Sequence, residues 1–252
     1  MPYVLSGGVR IHYEVSGSHT NRAPLLLSHG FRASARMWEH NVGALCGDRE
    51  VLAWDMRGHA RSDVPADASD YGVEHSIQDM LLLLDVLGAQ PAALCGMSLG
   101  GYLSLALAAA HPKRVAALIL VDTGPGFRRD QPRERWNAFA QRTAAALERD
   151  GLAAMRASPE AGSHREAIGL AHTARQVMAQ RDARVIDSLE AIAVPTLAVV
   201  GALDEDFLSA ADYMAAKIPG ARKVVLEGAG HAANIEAAEA FNAAVHEFLE
   251  GI

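Results

Sequence analysis

Ala92-Ala93-Leu94-Cys95 is a short apolar run that meets Gly96-Met97-Ser98-Leu99-Gly100, and residues 102–110 then read as helix up to His111-Pro112. A strand, a sharp turn with a serine at its apex, and a helix follow one another without a spacer. No other stretch limits the possible folds as strongly. Gly96 and Gly100 stand two residues either side of Ser98, where so tight a turn leaves no space for a side chain. The serine is therefore expected in an unfavourable φ/ψ region. The G-x-S-x-G pattern between a strand and a helix lifts a serine hydroxyl clear of the sheet, which makes Ser98 the first candidate for chemistry.

The rest of the chain supplies what such an element needs around it. With 252 residues, 50% of them hydrophobic and 21% charged, the chain can bury one large α/β core or two small ones. Residues 9–15 alternate apolar and polar after a turn at Ser6-Gly7-Gly8, the pattern of a half-buried strand. Residues 24–28, 51–54, 115–121, 194–200 and 223–226 are short apolar runs of the kind covered on both faces. Residues 37–45, 76–87, 209–218 and 236–249 read as helices, the second closed by Gly88. This alternation predicts a mostly parallel central sheet with helices on both faces.

From 124 to 190 the character changes. Gly124-Pro125-Gly126 breaks the pattern, no strand-like run follows, and Trp136, Phe139, Ala140, Thr143 and Leu147 share one face of a helix. Eleven arginines and nine acidic residues give this stretch +2, against −9 for the remainder, together the −7 of the whole chain. The chain thus reads as a core of 1–123 and 191–252 with a helical cap, 124–190, inserted over the carboxyl ends of the strands. Ligands bind at that edge in open α/β sheets, and a cap there supplies an apolar wall and excludes water. Arg128, Arg129, Arg133 and Arg135 either favour a carboxylate-bearing substrate or form a solvated helix face.

The net charge of −7 argues against nucleic acid or an anionic membrane as a partner. No uninterrupted apolar run is long enough to span a bilayer. The first residues lack a basic segment followed by an apolar one, so no secretory signal is expected and a cytoplasmic location is. Two cysteines, Cys46 and Cys95, give no disulfide framework, and Cys95 reads as a small core residue. The eleven histidines show no metal-binding spacing. No metal or cofactor is expected, and the partner should be a small molecule bound to a monomer or homodimer.

A serine hydroxyl is a poor nucleophile at neutral pH and needs a base within hydrogen-bond reach, with a third group to orient that base. His231 follows the run 223–226 in Glu227-Gly228-Ala229-Gly230-His231, where glycines permit a tight loop. His12 lies within an early strand, His111 ends a helix and His246 belongs to the last helix, so His231 is the best base. For the acid, Val200-Gly201-Ala202-Leu203-Asp204 offers Asp204 at another strand end, and Asp122 at the end of 115–121 is the competitor. Asp206 and Glu205 are expected to face solvent or to cap the helix that follows. An oxyanion formed at Ser98 needs preorganised donors. The Leu99 amide at a helix start and the Phe31 amide after His29-Gly30 suit that role. Arg32, Trp38 and Trp136 are candidate substrate contacts at the entrance.

Ser28-His29-Gly30-Phe31, Asp55-Met56-Arg57-Gly58-His59, Gly96-Met97-Ser98-Leu99-Gly100-Gly101, Gly201-Ala202-Leu203-Asp204 and Gly230-His231 together resemble the ordered motif set of the α/β-hydrolase superfamily. The likeness spans essentially the whole chain and is nearest to small capped carboxylesterases and enol-lactone hydrolases. It implies a Ser98-Asp204-His231 triad, in the family's chain order, acting on an ester or lactone through an acyl-enzyme. Serine at position 98 disfavours the dehalogenase and epoxide hydrolase branches, which carry aspartate there. Met97 and Ala232 depart from the asparagine and tryptophan associated with carbon–carbon bond hydrolases. Lyase, cofactor-free peroxidase and non-catalytic binding members share the fold and remain alternatives.

Overall fold

Leu25, Leu27, Val51, Ala53, Ala93, Cys95 and Ile119 pack into one layer, and Leu26, Leu52, Leu94, Leu118 and Leu120 into another. Successive side chains of a strand point to opposite faces, so these unbroken apolar runs suit a sheet covered on both sides. In the computed structural model, which describes residues 2–88, 91–155 and 159–252, eight strands form that sheet among the described residues. They are β1 (Tyr3–Ser6), β2 (Val9–Ser16), β3 (Leu25–Ser28), β4 (Val51–Trp54), β5 (Ala92–Met97), β6 (Val115–Val121), β7 (Thr196–Gly201) and β8 (Arg222–Leu226). Their spatial order is β1-β2-β4-β3-β5-β6-β7-β8. The pairs β1/β2 and β2/β4 are antiparallel and all the others parallel.

The α-helices are α1 (Glu39–Leu45), α2 (Val73–Val86), α3 (Leu99–Ala110), α4 (Asp130–Asp150), α5 (Ala167–Thr173), α6 (Arg184–Asp187), α7 (Glu205–Lys217), α8 (Ala233–Glu236) and α9 (Ala238–Leu249). Leu45 of α1 and Phe241, Val245 and Leu249 of α9 cover the Leu25 face. Met80, Leu83 and Leu84 of α2 and Leu103 and Leu107 of α3 cover the Leu26 face, joined by Met214 of α7. From β3 the chain moves outward to β4, then crosses back over β3 to β5 and continues the other way. The loops leaving β3 and β5 therefore diverge, and a crevice opens between the carboxyl ends of these two neighbours. Register closes that edge evenly: Ser28 pairs with Gly96, Met97 with Val121, and Val121 with Val199.

The elements depart from the sequence reading mainly at their ends. Residues 3–6 form an edge strand too short to show periodicity, joined to β2 by Gly7 and Gly8 at φ 57° and 88°. The helix expected from 209 begins at Glu205, because Asp204 already accepts the Phe207 and Leu208 amides through its backbone carbonyl. The last helix is broken at Ala237, where φ −128° and ψ 48° interrupt the ladder between α8 and α9. Between β6 and β7 the described residues form α4, α5 and α6 and short 3-10 and π turns, with no strand among them. Cys95 is fully buried within β5, and burial pushes its thiol well above the ordinary range. Among the described residues no helix is long and apolar enough to cross a membrane.

One buried ion pair ties the loop after β4 to α2. The Arg57 guanidinium donates from Nε and from one terminal nitrogen to the two oxygens of Asp79, at 2.8 and 2.6 Å. Both side chains are almost fully buried. Removing one partner of such a pair leaves an uncompensated charge in the core and typically costs about 3–5 kcal/mol. Asp79→Ala should therefore lose about that much stability in urea titration; an unchanged midpoint would show the pair to be dispensable.

Candidate active site

Ser98 sits between β5 and α3 at φ 50°, ψ −113°, off the regions open to an ordinary side chain. The glycines around it explain how that conformation is held. A Cβ on Gly96 would lie 2.3 Å from the Gly100 carbonyl, and one on Gly100 would lie 2.3 Å from the Ser28 oxygen. No larger residue fits either place, so the turn closes directly onto β3. The Ser98 amide donates to Val121 O at 2.9 Å, and the Thr123 hydroxyl donates to Ser98 O at 2.6 Å. The strained residue is thus pinned from β6 as well.

His231 arrives from the loop after β8, with its Nε2 3.2 Å from Ser98 Oγ and its Nδ1 2.8 Å from Asp204 Oδ2. The three candidate residues therefore form one continuous hydrogen-bonded chain. Two further residues hold the imidazole. The Glu236 carboxylate accepts the Gly230 and Ala232 amides at 2.8 and 3.1 Å, clamping the backbone on either side of His231. Phe207 stacks on the imidazole at 4.9 Å with an interplanar angle of 28°. Sequence reasoning missed both. Glu236 gives itself away only through its place five residues after the histidine, and Phe207 not at all.

Asp122 stands elsewhere. Its two oxygens accept the amides of Gly201 and Ala233, at 2.8 and 3.0 Å, from a backbone at φ 43°. It braces β6 against the β7 turn and against the segment after His231. Burial pushes its carboxyl up to about 6, against the pull of those two amide hydrogen bonds and of nearby His231. Of the two candidate acids, Asp204 contacts the imidazole, and Asp122 ties together the loops that carry both partners.

Phe31 and Leu99 line the cavity beside Ser98. Leu99 is the first residue of α3, so its N–H has no acceptor within the helix. The loop that presents Phe31 is set by the buried His29 ring. Its Nε2 accepts the Met56 amide at 2.9 Å, so Nδ1 carries the proton and donates to Gly30 O at 2.7 Å. Burial lowers the pKa of this imidazole, which suits that neutral tautomer.

The cavity above Ser98 holds about 530 Å³ and is walled mainly by Leu99, Tyr102, Phe127, Trp136, Met178 and Phe207. Trp136 is one of its walls, oriented by an indole N–H bond to Met178 O at 2.7 Å. Trp38 is not. It is fully buried in the layer beneath the sheet, 6.2 Å from Phe241, because the turn Ala35–Trp38 directs it into that core. Arg32 also stays out of the lining: at φ 64° its guanidinium lies over the Phe31 ring, 5.3 Å from the centroid, and its carbonyl meets His164 Nε2 at 3.0 Å. Asp206, expected in solvent, is exposed yet lines the cavity mouth. Among the described residues no group of three or more His, Cys, Asp or Glu side chains is arranged to hold a metal ion.

A family model described as the alpha/beta hydrolase fold matches residues 23–167. The enol-lactonase from Burkholderia xenovorans LB400 is 31% identical with a TM-score of 0.78, over 98% of this chain and 99% of that one. A thermophilic esterase from Thermogutta terrifontis is 27% identical with a TM-score of 0.85, over 99% and 98% of the two chains. A protein of Pseudomonas savastanoi pv. phaseolicola, provisionally named carbamate hydrolase RutD, is 30% identical over 92% of this chain and 95% of its own length. Sequence, strand order and the turn at Ser98 agree: the chain belongs to the alpha/beta hydrolase fold family.

Proposed function

We propose that this chain is a serine hydrolase that cleaves a carboxylic ester or lactone through an acyl-enzyme on Ser98. One observation carries the reading: Ser98 Oγ, His231 and Asp204 lie in a single hydrogen-bonded chain, at 3.2 and 2.8 Å, beside the Phe31 and Leu99 backbone. His231 Nε2 takes the hydroxyl proton as Ser98 Oγ attacks the carbonyl carbon. Asp204 stays ionised, fixes the tautomer by accepting from Nδ1, and stabilises the imidazolium. The Phe31 and Leu99 amides receive the charge that develops on the carbonyl oxygen. His231 then protonates the departing alcohol, and afterwards deprotonates the water that releases the acid.

In this reading residues 124–190 act as the cap. Phe127, Trp136, Met178 and Ile186 from that stretch roof the cavity, and α7 supplies the opposite wall. Excluding water strengthens the electrostatic interactions at the oxyanion and keeps the acyl-enzyme from random solvent attack. The similarity to an enol-lactonase and to an esterase agrees with this chemistry.

Two experiments test it. Ser98→Ala should lower kcat on p-nitrophenyl butyrate by about 10⁵–10⁶-fold and abolish labelling by a fluorophosphonate; turnover or labelling that persists in the variant would remove Ser98 from the reaction. Asp204→Asn should lower kcat by about 10⁴-fold at little cost in stability, through loss of the correct tautomer. Asp122→Asn should instead destabilise the fold by about 1–3 kcal/mol, because an amide cannot accept both of the backbone N–H groups that the carboxylate accepts. Kinetics and denaturation midpoints of the two variants, side by side, would reverse the assignment if the effects were exchanged.

A further inference from the structure

The wall opposite the cap carries a charge that the reaction does not use. Asp206, in the first turn of α7, is the one acidic side chain among the described residues lining the cavity, and no lysine or arginine accompanies it there. The cations nearby are committed elsewhere. Arg128 Nε donates to Asp187 at 2.7 Å, Arg133 donates to Asp130 and to Phe127 O, and Arg184 Nε donates to Asp182 at 2.7 Å. Arg135 meets Gln131, at 3.5 Å on the exposed surface of α4. Arg32 stays over Phe31, outside the lining. Among the described residues, therefore, no arginine of the inserted segment reaches the cavity lining to make an anion site there.

We infer that the cavity is built for uncharged esters or lactones with apolar groups, and that Asp206 is a specificity residue that turns away substrates bearing a carboxylate. The inference rests on the hydrolase reading of Ser98 and extends it to the class of substrate. Two physical terms act in the same direction. A carboxylate entering walls made of Phe127, Trp136, Met178 and Phe207 loses its hydration and meets no cation in return. At the mouth it also faces the like charge of Asp206, whose effect is weakened by solvent and salt because the side chain is exposed. The first term sets most of the discrimination and the second adds to it.

Dimethyl adipate and monomethyl adipate differ only in whether the far end is a neutral ester or a carboxylate, and both meet the same His231. Methanol release should give a kcat/KM ratio, neutral over charged, of about 100 or more. Asp206→Asn should lower that ratio by about 3–10-fold, and added salt should lower it in the parent protein but less in the variant. Glu205→Gln, the same change of charge one residue away and outside the lining, should leave the ratio as it was. Equal turnover of the two esters, or an equal effect of both substitutions, would overturn the inference. Calorimetric binding of the two compounds to Ser98→Ala reads the same preference without chemistry. If the parent protein hydrolyses neither ester, the hydrolase reading fails, and the charge preference then stands or falls on that binding ratio.

Discussion

The backbone of Ser98 is the constraint on which the other parts of the site depend. At φ 50° and ψ −113° it is held where a side chain is disfavoured, and such a conformation persists only when its surroundings over-determine it. Three contacts do so: Gly96 against Gly100, Gly100 against the Ser28 carbonyl, and the Thr123 hydroxyl on the Ser98 carbonyl. Each reaches the turn from a different strand end. Since β3, β5 and β6 are adjacent and paired in the middle of the sheet, the strain is shared among three neighbouring strands. A loop on the periphery could not hold a serine in this way. The hydroxyl consequently has a fixed address, and its partners are brought to it by loops.

Those partners arrive on loops, and a buried loop must find acceptors for its amides. At this edge several of the acceptors are carboxylates. Asp55, after β4, accepts the Ala35 amide of the β3 loop at 2.7 Å and holds Arg61 at 2.9 Å. Burial would raise its pKa, but the close approach of His12 Nδ1 at 3.1 Å, the Ala35 amide hydrogen bond and nearby His29 and Arg61 outweigh that and hold the carboxyl well below the usual range. Asp122 joins the β7 turn to the segment after His231, and Glu236 closes the loop on both sides of that histidine. One carboxylate can accept two amides that a single carbonyl could not reach together. The loops after β3, β4, β6, β7 and β8 are thereby tied across the edge, while only Asp204 is left to the imidazole.

What the sequence discloses follows from how local each cause is. The elbow is written in a pentapeptide because its requirement, no side chain at Gly96 or Gly100, acts within a few residues. The doubly covered strands are equally visible, since burial on both faces demands an unbroken apolar run such as Val115–Val121. His231 and Asp204 are legible as strand-end residues in the family's order. The choice between Asp204 and Asp122 is not, because both follow buried strands and only the three-dimensional path of each loop separates them. Trp38 fails as an entrance residue for a similar reason: a short 3-10 turn (Ala35–Trp38) rotates it under the sheet, and single-turn rotations leave no periodicity to read. The stacking of Phe207, on α7, against His231 joins segments distant in sequence and leaves no pattern along the chain, and the clamp by Glu236 of α8 leaves only its spacing from the histidine.

Rigidity and permissiveness are thus divided between the two sides of the cavity. Below, the strands fix the serine and the carboxylates that hold the loops. Above, the roof consists of single side chains from the turn before α4, from α4 and α6 and from the turns between them, and few of its hydrogen bonds reach the site itself. Trp136 is oriented by the Met178 carbonyl, and Asn137 and Gln180 exchange bonds at 2.7 and 2.8 Å, all within the inserted segment. A change in Met178 or Ile186 can therefore reshape the cavity without touching the bonds that align Ser98, His231 and Asp204. In physical terms, the same edge chemistry can be kept while the shape and charge of the roof and mouth are altered independently. That separation explains why motifs at the strand ends speak clearly about the family, whereas the choice of substrate has to be read from the walls.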